Sequence, residues 1–301
     1  MAEILQILFK VSLVLFMVGN LLDMGLRIEL RQALGGLRNV RFVVLSLVWS
    51  FALCPALAYV LTKIIPMQPG YGIGLVLLAM APGAPYLPLV VDKSRGDLNY
   101  AAVFMLLTAV GTVVFMPIAV PLMTKGLTDS PWTIAKPLLF FILIPLAIGM
   151  VVHAAAKPVA LKLHPFVKKT TGIATLVLVL IIFVIYRKEF LEAVGSFAIG
   201  AQIVFLAVTM TASYVLGIGL PQNYKSVLVL GLVSRNIGAA AAPLLAVIAV
   251  KGADHRALIM VALALPITVL WAFLVAIWLG RRPPILESAA KQTTSQPSGS
   301  A

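Results

Sequence analysis

One cysteine, Cys54, and three histidines are all the thiol and imidazole that the chain holds. A lone thiol excludes an intramolecular disulfide, a thiolate cluster and a CxxC redox pair. Acids are scarce as well, with ten Asp and Glu in 301 residues. They form no acid pair, no Ser-His-Asp set and no metal-ligand spacing above chance, which argues against an enzyme. Charged residues make up 11% of the chain against 61% hydrophobic, and the mean hydropathy is +1.07. A soluble protein of this length has no use for so much apolar surface, so this is an all-α polytopic membrane protein with the lipid bilayer as its medium. The net charge of +13 sits in short clusters between apolar runs. That is the pattern of cytoplasmic loops, and no nucleic-acid partner is expected.

A helix needs about 20 apolar residues to span a bilayer. Nine stretches qualify: 4–26, 42–65, 71–91, 98–123, 132–156, 171–186, 194–220, 226–246 and 257–279. The first is too long for a signal-peptide core and is expected to be retained. Asp23 and Arg27 stand four apart near its end and should pair on the helix surface. Basic linkers follow at 27–41 and 157–169, a polar loop at 125–130, and a tail at 281–301 that reads as disordered. His153, His164 and His255 fall at span ends or in loops, which argues against a proton relay. Trp132 and Trp278 suit interfacial anchoring. Lys and Arg total 14 in the connections after odd-numbered spans and 7 after even-numbered ones. The amino terminus is therefore expected outside and the carboxyl terminus in the cytoplasm, as in a bacterial inner-membrane protein.

Two spans should not be continuous. The third holds three prolines and a glycine within 81–88, which removes donors and forces a mid-membrane break. The eighth carries Ser234, Arg235, Asn236 and Gly238 at its middle. A charge at that depth costs roughly 2.5–3.5 kcal/mol on insertion scales, so Arg235 is a functional candidate. A break leaves free carbonyls on one half-helix and free N–H groups on the other, suited to a cation and an anion respectively. Broken helices at matching places in two halves point to inverted repeats with the site between them. The repeats are expected at 1–124 (four spans, broken at 81–88) and 131–280 (five spans, broken at 234–238).

The run from Gly74 to Gly83 (GLVLLAMAPG), reaching Arg95-Gly96-Asp97, resembles the fourth-helix motif of the bile acid:sodium symporter family. Leu22-Asp23-Met24-Gly25-Leu26 resembles the end of that family's second helix. Arg235-Asn236-Ile237-Gly238 resembles its ninth-helix Gln-Asn-Ser-Gly. The resemblance covers nearly the whole chain apart from the family's first helix. It implies a core domain with two crossing discontinuous helices, a panel domain, and transport of organic anions by alternating access.

The departures from that family bear on sodium. Its fourth-helix Ser and Asn ligands fall on Leu87 and Pro88, and its ninth-helix Glu on Gly231. Its third-helix Gln falls near Ser50, and two fifth-helix hydroxyls near Ala101 and Met105. A hard cation needs several oxygen ligands, so no sodium or other cofactor is expected. Arg235, in the place of a neutral Gln, would supply a permanent positive charge and satisfy carbonyls at the break, or would pair with a substrate anion. Pairing with an acid (Asp23, Asp92 or Asp97) is the structural alternative. The expected substrate site comprises Ser234, Arg235, Asn236, Pro85 and Tyr86, with Thr108, Thr112 and Thr268 as further wall residues. Back-bonding to their own helices is the other fate of these threonines, and a helix–helix hydrogen bond that of Asn236. The function expected is secondary transport of a small organic anion without sodium coupling. The alternative is a non-cycling membrane sensor on the same fold, and self-association into a homo-oligomer is a further expectation. An arsenite-type permease is disfavoured because Cys54 lies in a span other than the broken ones.

Overall fold

The computed structural model describes residues 2–124, 130–185, 187–251 and 255–282, and the regular elements among them are helices. In chain order they are α1 (Ala2–Gly25), α2 (Leu30–Gly36), α3 (Val40–Val48), α4 (Cys54–Ile64), α5 (Pro69–Ala79), α6 (Leu87–Lys93), α7 (Leu98–Met123) and α8 (Pro131–Leu138). They continue as α9 (Ile144–Ala155), α10 (Lys157–Ile185), α11 (Arg187–Val194), α12 (Ala198–Leu216), α13 (Gln222–Val233), α14 (Ile237–Lys251) and α15 (His255–Gly280). Among the described residues, seven helical stretches are long and apolar enough to cross a membrane. Two further apolar segments are each split in two, α5 from α6 and α13 from α14.

Two of the seven stretches carry a π-helical turn, Trp49–Leu53 between α3 and α4 and Leu139–Leu143 between α8 and α9. Each lies just ahead of a proline, Pro55 or Pro145. A proline has no N–H to give and its ring displaces the carbonyl four residues earlier, so the helix widens instead of breaking.

Two sequence expectations change. The basic segment 157–169 is no linker but the first part of α10, which runs unbroken to Ile185. Pro158 suits a first helical turn, its Lys and Leu residues are good helix formers, and Ala160 is fully buried. The stretch 194–220 holds a shorter helix than expected, since α11 ends at Val194 and α12 begins only at Ala198. The polar loop lies outside the described residues through 129, and the tail lies outside them from 283.

Helix α1 packs along α10 and against α9, while α15 packs along α5, and α13 against α7, α12 and α15. The α1–α9 contact is backbone to backbone. A Cβ on Gly25 would meet the Leu146 carbonyl and come within 2.9 Å of Gly149 Cα, and one on Gly149 would lie 2.6 Å from the Leu22 carbonyl. Small residues that let helices approach this closely supply the van der Waals contact that holds membrane helices together. The outward faces of α1 and α10 are apolar, as at Val11, Leu15, Ile173 and Leu180, which suits acyl chains. Replacing Gly25 or Gly149 by Val is expected to lower stability by roughly 1–3 kcal/mol through overpacking. Thermal denaturation of the purified protein checks this, and an unchanged midpoint would contradict the contact.

Candidate functional site

The two helix breaks face each other and satisfy one another. Pro82 and Arg235 form an antiparallel bridge. Around it Asn236 N donates to the Ala81 carbonyl at 2.8 Å, and Gly83 N and Ala84 N donate to the Ser234 carbonyl at 2.9 and 3.2 Å. Gly83 N also reaches the Gly231 carbonyl at 3.1 Å. Gly83 is required on two counts. Its φ is +78°, a left-handed conformation that disfavours a side chain, and a Cβ there would lie 2.5 Å from Thr108 Oγ1.

An interrupted helix end leaves carbonyls without intrahelical partners, and in a membrane interior each one unsatisfied costs several kcal/mol. At the end of α5 all of them are accounted for. The Leu78 carbonyl accepts from Ala81 N at 3.1 Å, Ala79 from Arg235 Nη1 at 3.1 Å, Met80 from Thr112 Oγ1 at 3.3 Å, and Ala81 from Asn236 N.

Arg235 is 1% exposed. Besides the Ala79 carbonyl, its Nη2 lies 3.4 Å from Cys54 Sγ, and its guanidinium stacks 4.8 Å from the Phe205 ring centroid. One side chain thus ties the α13–α14 break to α4, α5 and α12. It forms no ion pair among the described residues; Asp23 pairs elsewhere, with Arg27 and His164. Cys54, placed by the sequence in a separate span, therefore reaches the break after all, because α4, which it begins, packs against α5. Arg235 Nε, Ser234 Oγ and Tyr86 Oη are buried there without a well-formed hydrogen bond among the described residues. The Tyr86 hydroxyl lies beside those of Thr268 and Ser234 without making a bond of good geometry to either.

A cavity of about 300 Å³ opens between α1, α10 and the two breaks. Ala84, Pro85, Tyr86, Arg235, Asn236, Ile237 and Gly238 form its floor. Phe16, Met17, Asn20, Leu21, Asp23 and Arg27 come from α1 and the residues just after it, and Lys168, Thr171, Gly172 and Thr175 from α10. Such a mixture of apolar wall and a few polar groups suits a small amphipathic molecule.

Of the residues singled out from sequence, Pro85, Tyr86, Arg235 and Asn236 line this cavity together. Ser234 lies just behind them. Asn236 Oδ1 accepts from Ala239 N at 3.1 Å, so it caps the start of α14. Thr108 and Thr268 do not line it and back-bond to their own helices, to Phe104 O and Ala264 O at 2.8 and 2.7 Å. Thr112 is absent from the wall as well, being turned to the end of α5. The α1 and α10 side was not read as a site. Its signal is present: Asn20, Asp23 and Arg27, and Lys168, Thr171 and Thr175, each repeat at helical spacing along one face. Reading 157–169 as a linker hid the second stripe. His164, expected in a loop, is on α10 with Nδ1 2.5 Å from Asp23 Oδ1.

Two interrupted helices meeting beside a cavity in an apolar bundle are how secondary transporters build their sites. Residues 13–193 match the sequence profile of the Sodium Bile acid symporter family, and the chain belongs to that family of membrane transporters. It is 24% identical over 151 residues to the hepatic sodium/bile acid cotransporter of Rattus norvegicus, covering 48% of this chain and 42% of that one. It is 24% identical over 198 residues to a probable chloroplastic sodium/metabolite cotransporter of Arabidopsis thaliana, covering 65% and 46%. The P3 protein of Bos taurus is 25% identical over 141 residues, covering 45% and 29%. The chain spans less than half the length of these relatives.

Arg235→Gln is expected to lower stability by about 2–4 kcal/mol, since a buried charged hydrogen bond and a desolvated cation–π contact go together. Arg235→Lys should recover only part of this, because an ammonium cannot reach Ala79 and Cys54 as a planar fork does. Thermal unfolding of both variants checks it; wild-type stability in Arg235→Gln would show that the guanidinium does not hold the break.

Proposed function

We propose that this protein is a secondary transporter of a small organic anion, working by alternating access without sodium, with Arg235 standing where a bound cation would. The observation that carries the reading is a fixed guanidinium holding the Ala79 carbonyl at the meeting point of the breaks, beside a cavity floor with unpaired donors. The positions where the family has sodium ligands offer little oxygen. Leu87 and Pro88 begin α6, and a Cβ on Gly231 would strike the Phe104 ring, 2.6 Å from Cδ1. Of the positions aligned with the family's ligands, Ser50 keeps a buried hydroxyl without a partner among the described residues, and one such oxygen is too few for a hard cation. The substrate is bounded by Arg235, Asn236, Tyr86 and Pro85, with Ser234 behind. In this reading the seven continuous stretches and the two broken ones make nine spans in two inverted repeats. Helices α1, α9 and α10 act as the panel moving against the rest. The amino terminus is external and the carboxyl terminus cytoplasmic in a cell membrane, and copies of the chain associate as a homo-oligomer.

In proteoliposomes, uptake of an organic anion chosen by thermal-shift screening should proceed at the same rate with choline in place of sodium. A rate rising severalfold with sodium would end the sodium-independent reading. Ligand-dependent stabilisation without flux would favour a non-cycling sensor. A reporter fused at Ala301 should be active on the cytoplasmic side only.

A further inference from the structure

We propose that the Asp23–His164 pair is a proton-binding site that controls how strongly Arg27 and Lys168 draw an anion into the cavity, so that proton and anion travel together. The inference rests on the anion-transport reading and adds the coupling ion to it. Asp23 is the acid on the cavity wall among the described residues. Its Oδ2 accepts from Arg27 Nη2 at 2.8 Å, and its Oδ1 meets His164 Nδ1 at 2.5 Å. Arg27 divides its guanidinium between Asp23 and the Pro85 carbonyl, 3.3 Å away in the first break. His164 borders an open depression along α10, while Asp23 borders the cavity, and Lys168 borders both. A proton taken up at His164 therefore changes the charge of the cavity wall from its outer side.

The charges define the sign. With a neutral imidazole, Arg27, Lys168 and Asp23 leave one net positive charge on this wall; an imidazolium makes it two. Histidine is the side-chain type that ordinarily changes charge between pH 5 and 8. The hydrogen bond to Asp23 holds in both states when Nδ1 carries its proton, so packing is kept while charge is added. The imidazolium also compensates Asp23, which lets Arg27 turn to an incoming carboxylate or sulfonate without stranding a buried acid. Anion and proton then raise each other's affinity by the same factor. The other charged or titratable groups near the pair do not replace it. Glu29 pairs with Lys157 at 3.6 Å, and His153 Nδ1 is bonded to the Leu26 carbonyl at 2.7 Å. Lys169 faces the outer depression, and Arg235 lies at the floor, held by Ala79.

The test needs no substrate. Gly172 lines the cavity, and a Cβ there meets nothing within 4 Å. Cys54 is buried, so Gly172→Cys supplies the reactive thiol and the unmodified protein gives the background. Its reaction rates with anionic sulfonatoethyl and cationic trimethylammonioethyl methanethiosulfonate are compared in uncharged detergent. Their ratio cancels the thiol's own ionisation and reports the local potential. The ratio should favour the anion and rise about fivefold from pH 8 to pH 6. His164→Gln should flatten the pH dependence, and Arg27→Gln should lower the ratio at both pH values. Thr175→Cys repeats the measurement if Gly172→Cys does not fold. A ratio independent of pH, or one whose pH response survives His164→Gln, overturns the proposal and leaves sodium-free flux untouched. Absent flux with the expected ratio would instead count against transport.

Discussion

Everything at the centre of this molecule depends on two helix ends supplying each other's hydrogen bonds. Interrupting one helix in hydrocarbon strands several peptide groups, each at several kcal/mol. Two interruptions placed side by side exchange Asn236 N for the Ala81 carbonyl and Gly83 N for the Ser234 carbonyl. Neither broken helix is tolerable in that place without the other. The exchange also explains why Gly83 is bound to a left-handed conformation: its N–H must turn toward α13 while Thr108 presses from α7.

Arg235 is what this arrangement can admit once the backbone is satisfied. A charge with no acid partner is costly at membrane depth. Here the carbonyl of Ala79, the sulfur of Cys54 and the face of Phe205 replace hydration from three directions. None of the three is a carboxylate, so the positive charge is shielded but not neutralised. That distinguishes the site from an ordinary buried ion pair and gives the cavity floor a lasting electropositive character.

The cavity lies between packing regimes. Beyond the breaks that form its floor lie densely buried helices, α5 and α13 among them. Toward α1 and α10 it meets helices that touch the remainder over one face and present apolar side chains outward on the other. The polar groups on that looser side, Asp23 and Arg27 facing His164 and Lys168, join two helices across the mouth and reach the first break through Pro85. A change of charge there acts where relative movement is least opposed by packing.

From sequence alone came the membrane class, the approximate limits of most helices, the weight on Arg235, the Asp23–Arg27 pair and the two breaks, which fall at 80–86 and 234–236 where the sequence predicts 81–88 and 234–238. All of these rest on local physics: hydropathy over some 20 residues, the missing N–H of proline, the cost of burying a charge and i,i+4 spacing. Tertiary structure alone decided which groups meet. Cys54 reaches Arg235, Thr112 donates to the Met80 carbonyl, and Phe104 fills the space beside Gly231. His164 finds Asp23 across 141 positions of chain. Helical spacing places a side chain on a face, but the face it meets belongs to another helix whose rotation and depth are set by packing, as where Gly25 and Gly149 let two backbones touch.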